Sequence, residues 1–169
     1  MPIYVKQCES DEEFAKVSLF FLTNKFGLHP SISTIDAVTL LYLYITQGYL
    51  IYSSDDSNQV IGVCAYYHGT PEQEYKDKHV AFMDMALSDK AHQGTRLFVK
   101  GLIYLVDHIA EHHPEVEDLQ LAALTENTYT CRLYAKFAEV SHTRDGYVGQ
   151  ETVFCVKIHQ IQGFLRKYR

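Results

Sequence analysis

The segment of residues 88–96 has the composition of a loop that binds an anion. It follows an apolar run, leads into a long amphipathic pattern, and reads Ser88-Asp89-Lys90-Ala91-His92-Gln93-Gly94-Thr95-Arg96. A loop that turns into a helix N-terminus points several backbone N–H groups in one direction, where the helix dipole adds positive potential. Gly94 lets the backbone approach a ligand closely, and Arg96 adds charge. The segment indicates a pyrophosphate site, although a single glycine is also typical of an ordinary strand-to-helix loop.

Two further positions have residue types that could do chemistry. Asn127 opens a short helical pattern, and Tyr134 follows seven residues later, two turns on and on nearly the same face. Asp84 stands alone between two methionines in an apolar run. Burial makes a carboxylate more basic, which suits a general base. Pairing with a nearby cation or exposure to solvent are the alternatives for Asp84.

Hydrophobic periodicity and caps predict the elements that position these residues. Helices are predicted to begin after the capping-box pattern of Ser10 and Glu13, at Ser33 or Thr34, at Thr95 or Arg96, and at Asn127. Strands are predicted at residues 3–7, 49–52, 60–67, 79–87, 119–124 and 153–158. The order β-α-α-β-β-β-α-β-α-β, with one or two short strands after it, predicts one mixed α/β (α+β) domain over residues 1–169.

The whole pattern resembles the GNAT superfamily of N-acetyltransferases, which transfer acetyl from acetyl-CoA to an amine. In that family a strand ends in an Arg/Gln-x-x-Gly-x-Gly/Ala loop whose backbone amides hold the CoA pyrophosphate. A later helix begins with Asn and carries Tyr-Glu-Lys-x-Gly-Phe. Asn127, Tyr134 and Lys136 match that helix at its spacing, and the element order fits over roughly residues 3–158. The resemblance implies a central mixed, mostly antiparallel sheet flanked by helices on both faces.

The resemblance also implies roles for individual residues. Tyr134 would be the general acid that protonates the departing CoA thiolate, and Asp84 the base for the attacking amine. The cofactor-binding residues would be Ala86, Leu87, His92, Gln93, Gly94, Thr95, Arg96, Asn127 and Tyr134. Ala86 and Leu87 would bind the pantetheine arm through their backbone. Acetyl-CoA is the implied co-substrate, with direct transfer to a small-molecule or peptide amine in a ternary complex.

The loop departs from the family pattern, because only Gly94 fills a small-residue position, and Ala138-Glu139 stands where the family has Gly-Phe. The alternative is a non-catalytic binding or dimerisation module of the same fold with a decayed CoA site. An unrelated α/β domain that binds another phosphorylated ligand at Gly94 is a third option. Glu126 and His79 are further candidates for the base.

Composition and charge exclude several classes of protein. Fifteen Lys and Arg against 21 Asp and Glu give a net charge of −6, which disfavours nucleic acid as a partner. The apolar share of 47% excludes a disordered chain. The apolar stretches are shorter than the roughly 20 residues of a membrane span, and the N-terminus lacks a signal-peptide pattern, so we expect a cytoplasmic protein without a membrane partner.

Cysteines and histidines give no metal motif. The four cysteines are scattered, as in the core of a protein from a reducing compartment. His108 and His112 are four residues apart, but no carboxylate completes a known zinc helix motif, so no metal is expected. A homodimer is left open, since strand-rich C-termini of this fold often pair.

Overall fold

The computed structural model describes residues 2–169, except for the side chain of Thr95. The elements are β1 (Tyr4–Gln7), α1 (Asp11–Thr23), α2 (Thr34–Gln47), β2 (Tyr49–Ser54), β3 (Val60–His68), β4 (Val80–Ser88), α3 (Thr95–His112), β5 (Asp118–Leu124), α4 (Thr128–Ala135), β6 (Glu139–Asp145), β7 (Gln150–Lys157) and α5 (Ile158–Leu165).

The strands form one mixed sheet, as the sequence predicts. Its seven strands lie in the order β1-β2-β3-β4-β5-β7-β6. The pairs β1/β2, β5/β7 and β6/β7 are antiparallel, whereas β4 and β5 are parallel. A mixed, mostly antiparallel sheet with five α-helices confirms the predicted fold class.

The chain divides into two compact units. One comprises Met1–Ala65 with Ala86–Tyr104, and the other Tyr66–Met85 with Leu105–Arg169. We call them the first unit and the second unit and describe each by itself. A single domain over residues 1–169 therefore stays a prediction.

Caps and apolar spacing fix the helices of the first unit where they were predicted. The Ser10 hydroxyl accepts from the Glu13 N–H at 3.1 Å while the Glu13 carboxylate accepts from the Ser10 N–H at 3.0 Å, so the capping box is present. Ser33 is the N-cap of α2, since its hydroxyl accepts from the Asp36 N–H. The rings of Phe21 in α1 and Tyr44 in α2 then pack edge to face at 6.3 Å, and both are buried.

The second unit contains two elements that the sequence analysis does not predict. β6 is exposed along almost its whole length. Because neither face packs against the core, its sequence lacks the alternation of apolar and polar residues from which a strand is predicted. The short strands expected after β7 are wrong, because α5 follows β7 without a break and buries Ile158, Ile161 and Leu165. These residues have helical spacing, yet the apolar run before them extended the predicted strand to Ile158.

A β-bulge interrupts the pairing of β6 with β7. Val140 lies opposite Phe154, and His142 lies opposite Val153, so Ser141 is the extra residue. Such a bulge bends a strand and increases its local twist. β6 is the terminal strand of the sheet order.

The pairing of β4 with β5 covers only the first part of both strands. It runs from Val80 opposite Asp118 to Met83 opposite Leu121. Both strands continue beyond that point, β4 to Ser88 and β5 to Leu124. Within the second unit, β4 and β5 are therefore paired with each other for four residues and part after Met83 and Leu121, while β5 stays paired with β7 to Leu124. The backbone groups of this stretch of β4 are not used by β5.

Candidate functional site

The predicted anion-binding loop lies in the first unit, between the end of β4 and the start of α3. Asp89 caps a single 3-10 turn over Lys90–His92, and its Oδ1 accepts from the His92 N–H at 2.8 Å. The same oxygen lies 2.7 Å from His92 Nδ1. The half-buried His92 is therefore held by a carboxylate of the loop itself. Gln93 and Arg96 are exposed.

Gly94 has a backbone that favours glycine. Its φ is +152°, which L side chains rarely adopt, although a Cβ placed there would meet nothing within 4 Å. The constraint is therefore conformational, and the space above Gly94 is open. Its carbonyl accepts from the Phe98 N–H at 3.4 Å, in the first turn of α3. The side chain of Thr95, another predicted cofactor residue, lies outside the described residues.

The predicted pantetheine-binding residues are the last of β4 before the loop. The side chain of Ala86 is exposed and that of Leu87 is buried, as expected for neighbouring residues of a strand. The Asp89 N–H donates to the Ile61 carbonyl at 3.1 Å, which ties the start of the loop to β3 within the first unit.

Asn127 and Tyr134 lie at the two ends of α4, in the second unit. Asn127 is exposed and is the N-cap, since its side-chain oxygen accepts from the Thr130 N–H at 3.1 Å. Tyr134 is only 1% exposed, and its ring packs edge to face on Phe154 at 5.8 Å. The helix therefore brings the tyrosine into the core of this unit, with Asn127 at its exposed start.

Asp84 is the first residue of β4 beyond its ladder with β5, and its side chain contacts a cation. Its Oδ1 accepts from Arg144 Nη2 at 2.7 Å. Arg144 also donates through Nε to Glu151 at 2.8 Å and through Nη1 to Glu72 at 2.6 Å. The guanidinium carbon lies 4.4 Å from the centroid of the Phe82 ring. We call Asp84, Glu72, Glu151 and Arg144 the acidic cluster, because three carboxylates surround one guanidinium.

Burial and charge shift the titration of the groups in and around the acidic cluster. Burial raises the pKa of Glu151, and the neighbouring Asp84 raises it further, against the opposing effect of Arg144. Burial would lower the pKa of Arg144, but Glu151 and Asp84 outweigh it and the pKa is raised. Burial raises the pKa of Tyr67, and Asp84 adds to that shift. Asp84, Glu151, Arg144 and the neighbouring Tyr67 thus share one electrostatic environment in the second unit.

The sequence analysis found Asp84 and missed its partners. Arg144 is 60 residues from Asp84 and 72 from Glu72 along the chain, so no local pattern joins them. Glu151 could have been predicted from the sequence pattern, because it lies on the same face of its strand as the buried Val153. An acidic residue at an inward position predicts a partner. The other proposed bases, His79 and Glu126, are exposed.

No helix in the described part of the chain has both the length and the apolar character needed to cross a membrane. Neither a protein-family model nor a curated protein matches this sequence.

The parallel strands β4 and β5 are paired for four residues, and a loop and the long helix α3 connect them. The chain has the fold of the GNAT superfamily of acetyltransferases. It is similar to the aminoglycoside acetyltransferase AAC(6')-Ib in complex with coenzyme A, with a TM-score of 0.73, 16% identity, and coverage of 96% of this chain and 98% of that one.

Two further solved structures share the fold. The ribosomal-protein-S5-alanine acetyltransferase from Vibrio fischeri has a TM-score of 0.66 at 12% identity, covering 92% of both chains. A GNAT-family acetyltransferase from Streptococcus pneumoniae has a TM-score of 0.65 at 12% identity, covering 92% of this chain and 99% of that one. At these identities the likeness establishes the fold.

Proposed function

We propose that this protein transfers an acetyl group from acetyl-CoA to a primary amine, directly, in a ternary complex. The acidic cluster at the point where β4 leaves β5 carries this proposal. Three carboxylates against one guanidinium leave a formal excess of two negative charges, which attracts a protonated amine. The fold adds support, since AAC(6')-Ib has been solved with coenzyme A and kanamycin, and with acetyl-CoA and paromomycin.

The acceptor that fits this cluster is a small, cationic amine. Asp84 and Glu151 have side chains that are 12% exposed, whereas Glu72 is 49% exposed, so the negative charge extends from a shielded interior towards solvent. The rings of Tyr67 and Tyr75 lie 5.2 Å apart, and burial and the charge of Asp84 raise the pKa of both phenols. Aromatic rings beside carboxylates bind ammonium groups by cation–π attraction in addition to charge. A peptide amine is the other acceptor class of the proposal.

In the first unit, the backbone N–H groups around Gly94 would hold the pyrophosphate, with Arg96 adding charge and Ala86 and Leu87 offering their backbone to the pantetheine arm. Gly94 fits this role, because the space above its Cα is open. In the second unit, Asn127 would fix the start of α4 and so the position of Tyr134. When bound, acetyl-CoA would supply the activated acetyl group.

Two proton transfers remain for the side chains. Tyr134 would donate its phenolic proton to the departing thiolate, which requires the thiol to reach into the core beside Phe154. Asp84 would take a proton from the amine, directly or through water. Glu151 is a second candidate base, because burial raises its pKa above that of an ordinary glutamate and so makes the carboxylate more basic. Arg144 would orient both carboxylates.

Calorimetric titration with acetyl-CoA tests the first step, with CoA and adenosine diphosphate as controls. We expect micromolar binding that acetyl-CoA and CoA share. The alternative, a non-catalytic module with a decayed site, is favoured by one observation: the Asp89 carboxylate lies inside the predicted pyrophosphate loop. Absence of heat up to millimolar CoA would favour that module and overturn the proposed enzyme.

Turnover of a panel of amines tests the chemistry. The panel contains kanamycin, a linear diamine and a peptide with an N-terminal alanine. The release of the CoA thiol measures the rate with each amine. Tyr134→Phe should lower kcat about 100-fold or more, as for loss of a general acid. Tyr129→Phe is the matched control, because Tyr129 lies on the same helix and is 65% exposed. Equal rates for both variants would remove Tyr134 from the mechanism.

The Asp84→Asn variant tests whether this carboxylate acts in catalysis or in binding the acceptor amine, because the two roles change kcat and KM respectively. We expect a lower kcat with a cationic amine, and Asp145→Asn, an exposed carboxylate of β6, serves as the control. Thermal unfolding of each variant verifies that the fold is retained. An Asp84→Asn variant with unchanged kcat and KM would show that this carboxylate is no base and that the acidic cluster does not bind the acceptor.

A further inference from the structure

Four histidines, a tyrosine and a glutamate lie together in the second unit, and none of them belongs to the acidic cluster. Tyr66 and His68 belong to the end of β3. His108 and His112 belong to the last turns of α3, and His113 and Glu115 to the segment that follows. The proposed acetyl transfer uses none of these side chains.

Three of these residues form a constellation that fits a metal ion. His68, His113 and Glu115 each offer one ligand atom, and the three atoms lie within 4.8 Å of one another. His68 Nε2 and Glu115 Oε1 are 3.1 Å apart. Ligand atoms around a tetrahedral zinc are about 3.3 Å apart, given bonds of about 2.0–2.1 Å. The edge between His68 Nε2 and Glu115 Oε1 has nearly that length. His68 Nε2 also lies 2.9 Å from the Lys78 carbonyl, a contact that a bound ion would replace.

We propose that His68, His113 and Glu115 bind a divalent transition-metal ion of the zinc type. Two imidazoles and one carboxylate are a ligand set that such ions accept, and three protein ligands leave a coordination position for water or another small ligand. The half-exposed Glu115 gives the ion access from solvent, while His68 is 13% exposed. The site is independent of the proposed acetyl transfer.

The surroundings of His113 are those of a supported metal ligand. The Tyr66 hydroxyl lies 3.1 Å from His113 Nε2, and Tyr66 is fully buried. A hydrogen bond at one ring nitrogen fixes the orientation and the tautomer of a metal-binding histidine.

The backbone holds the two ligands of the turn in place. The His113 N–H donates to the Ile109 carbonyl at 2.8 Å, which joins the turn to the last part of α3. The Val116 N–H donates to the His113 carbonyl at 3.0 Å, which closes the turn around Glu115. His68, the third ligand, comes from a different element, the end of β3. A bound ion would therefore fasten the end of β3 to the turn after α3.

The triad is distinct from the histidine pair that stands out in the sequence. His108 and His112 stack at 4.1 Å, and His112 Nδ1 lies 3.0 Å from the His108 carbonyl. These contacts account for the four-residue spacing of that pair without a metal. The proposed site instead combines two residues of a turn with a residue from a distant strand, which no sequence motif records.

Metal titration of the chelator-treated full chain tests the proposal. Calorimetry with zinc chloride should give one site per chain, and His68→Gln or Glu115→Gln should weaken binding about 100-fold or more. Glu115→Gln is the safer variant for folding, since this side chain is half exposed. His112→Gln and the exposed His142→Gln are the controls and should bind as the unmodified chain does. Equal affinity for all four variants would overturn the proposal.

Cobalt identifies the ligands directly. Four free cysteines are the competing ligands, and a cobalt–thiolate site gives strong charge-transfer absorption in the near ultraviolet, whereas an N/O site gives only weak visible bands. We expect visible bands without the charge-transfer absorption. Tyr66→Phe keeps the buried ring and removes the hydroxyl, and should weaken zinc binding about 10- to 100-fold. Thiolate absorption, or an unaltered affinity in Glu115→Gln, would refute the assignment.

Discussion

Removal of the guanidinium of Arg144 should destabilise the second unit more than the loss of any exposed ion pair. In Arg144→Gln the three carboxylates of the acidic cluster lose their common partner. Two of them, Asp84 and Glu151, are 12% exposed, so their contacts are largely shielded from solvent. The contact with the half-exposed Glu72 contributes about 0–1 kcal/mol.

The size of the loss follows from the two shielded contacts. Hydrogen bonds to charged groups contribute about 1.5–3 kcal/mol each, and removal of one partner of a buried ion pair costs about 3–5 kcal/mol. We therefore expect Arg144→Gln to lower the free energy of unfolding by about 3 kcal/mol or more. In a chain of this size that is a fall in Tm of about 6–12 °C.

The dependence on pH identifies the cause. Burial and Asp84 raise the pKa of Glu151 in the folded state, so folding favours its protonated form. The Glu151 contribution is therefore fully present below its unfolded pKa, near 4.5, and is lost as the pH rises through the folded pKa. Without Arg144, which opposes this shift, the folded-state pKa of Glu151 is higher still, and more stability is lost as the pH rises. The difference in stability between Arg144→Gln and the unmodified chain should grow from pH 4.5 to pH 8.

Thermal and urea unfolding at pH 4.5, 6 and 8 make the comparison. Arg132→Gln, an exposed arginine of α4, is the control and should change Tm by little at any pH. Arg144→Lys keeps the charge but not the three-way geometry, so its loss should be intermediate. A fall in Tm that equals the Arg132→Gln value, or one that is the same at all three pH values, would refute the electrostatic account of the acidic cluster.

Three further changes test the rest of the structure. Gly94→Ala imposes a side chain at φ +152°, so it should cost about 1–3 kcal/mol in unfolding experiments and, if the loop holds pyrophosphate, weaken CoA binding in calorimetry; unchanged binding would remove this glycine from the site. Asn127→Ala removes the bond to the Thr130 N–H and should cost about 1 kcal/mol, whereas Asn127→Ser should restore most of it; equal losses would argue against the cap. The Tyr52 hydroxyl lowers the pKa of Glu13, so stability from that group is present above pH 4.5 and falls below it; Glu13→Gln should flatten the acid limb of the stability curve, and an unchanged acid limb would contradict this.

Local chemistry made most of the helices predictable. Ser10 and Glu13 encode the start of α1 within four residues, and Ser33 and Gly48 bracket α2. Each of these signals is a contact between near neighbours, so a linear pattern contains it. β6 could not be predicted in this way, because both of its faces are largely exposed. Its sequence therefore lacks the alternation of apolar and polar residues that indicates a strand.

Only part of the candidate site could be predicted, because many of its residues contact partners that are far away along the chain. Gly94 is recognisable from its own residue type, since its backbone conformation favours glycine. Tyr134 is recognisable from its helical spacing to Asn127. The partner of Asp84 is 60 residues away, and His68 meets Glu115 across the same kind of gap. Such contacts exist only once the strands are arranged, so the sequence showed isolated charged residues where the structure shows clusters.

The bulge at Ser141 has a consequence for how the protein behaves at high concentration. A terminal strand presents unpaired backbone groups, which can template the addition of a strand from another molecule. The bulge breaks the regular repeat that such templating requires, and the 63% exposed Val140 next to it would otherwise add apolar attraction. Deletion of Ser141 would restore an even repeat along this edge. Light scattering of that variant should show association that increases with protein concentration, while the bulged chain stays dispersed.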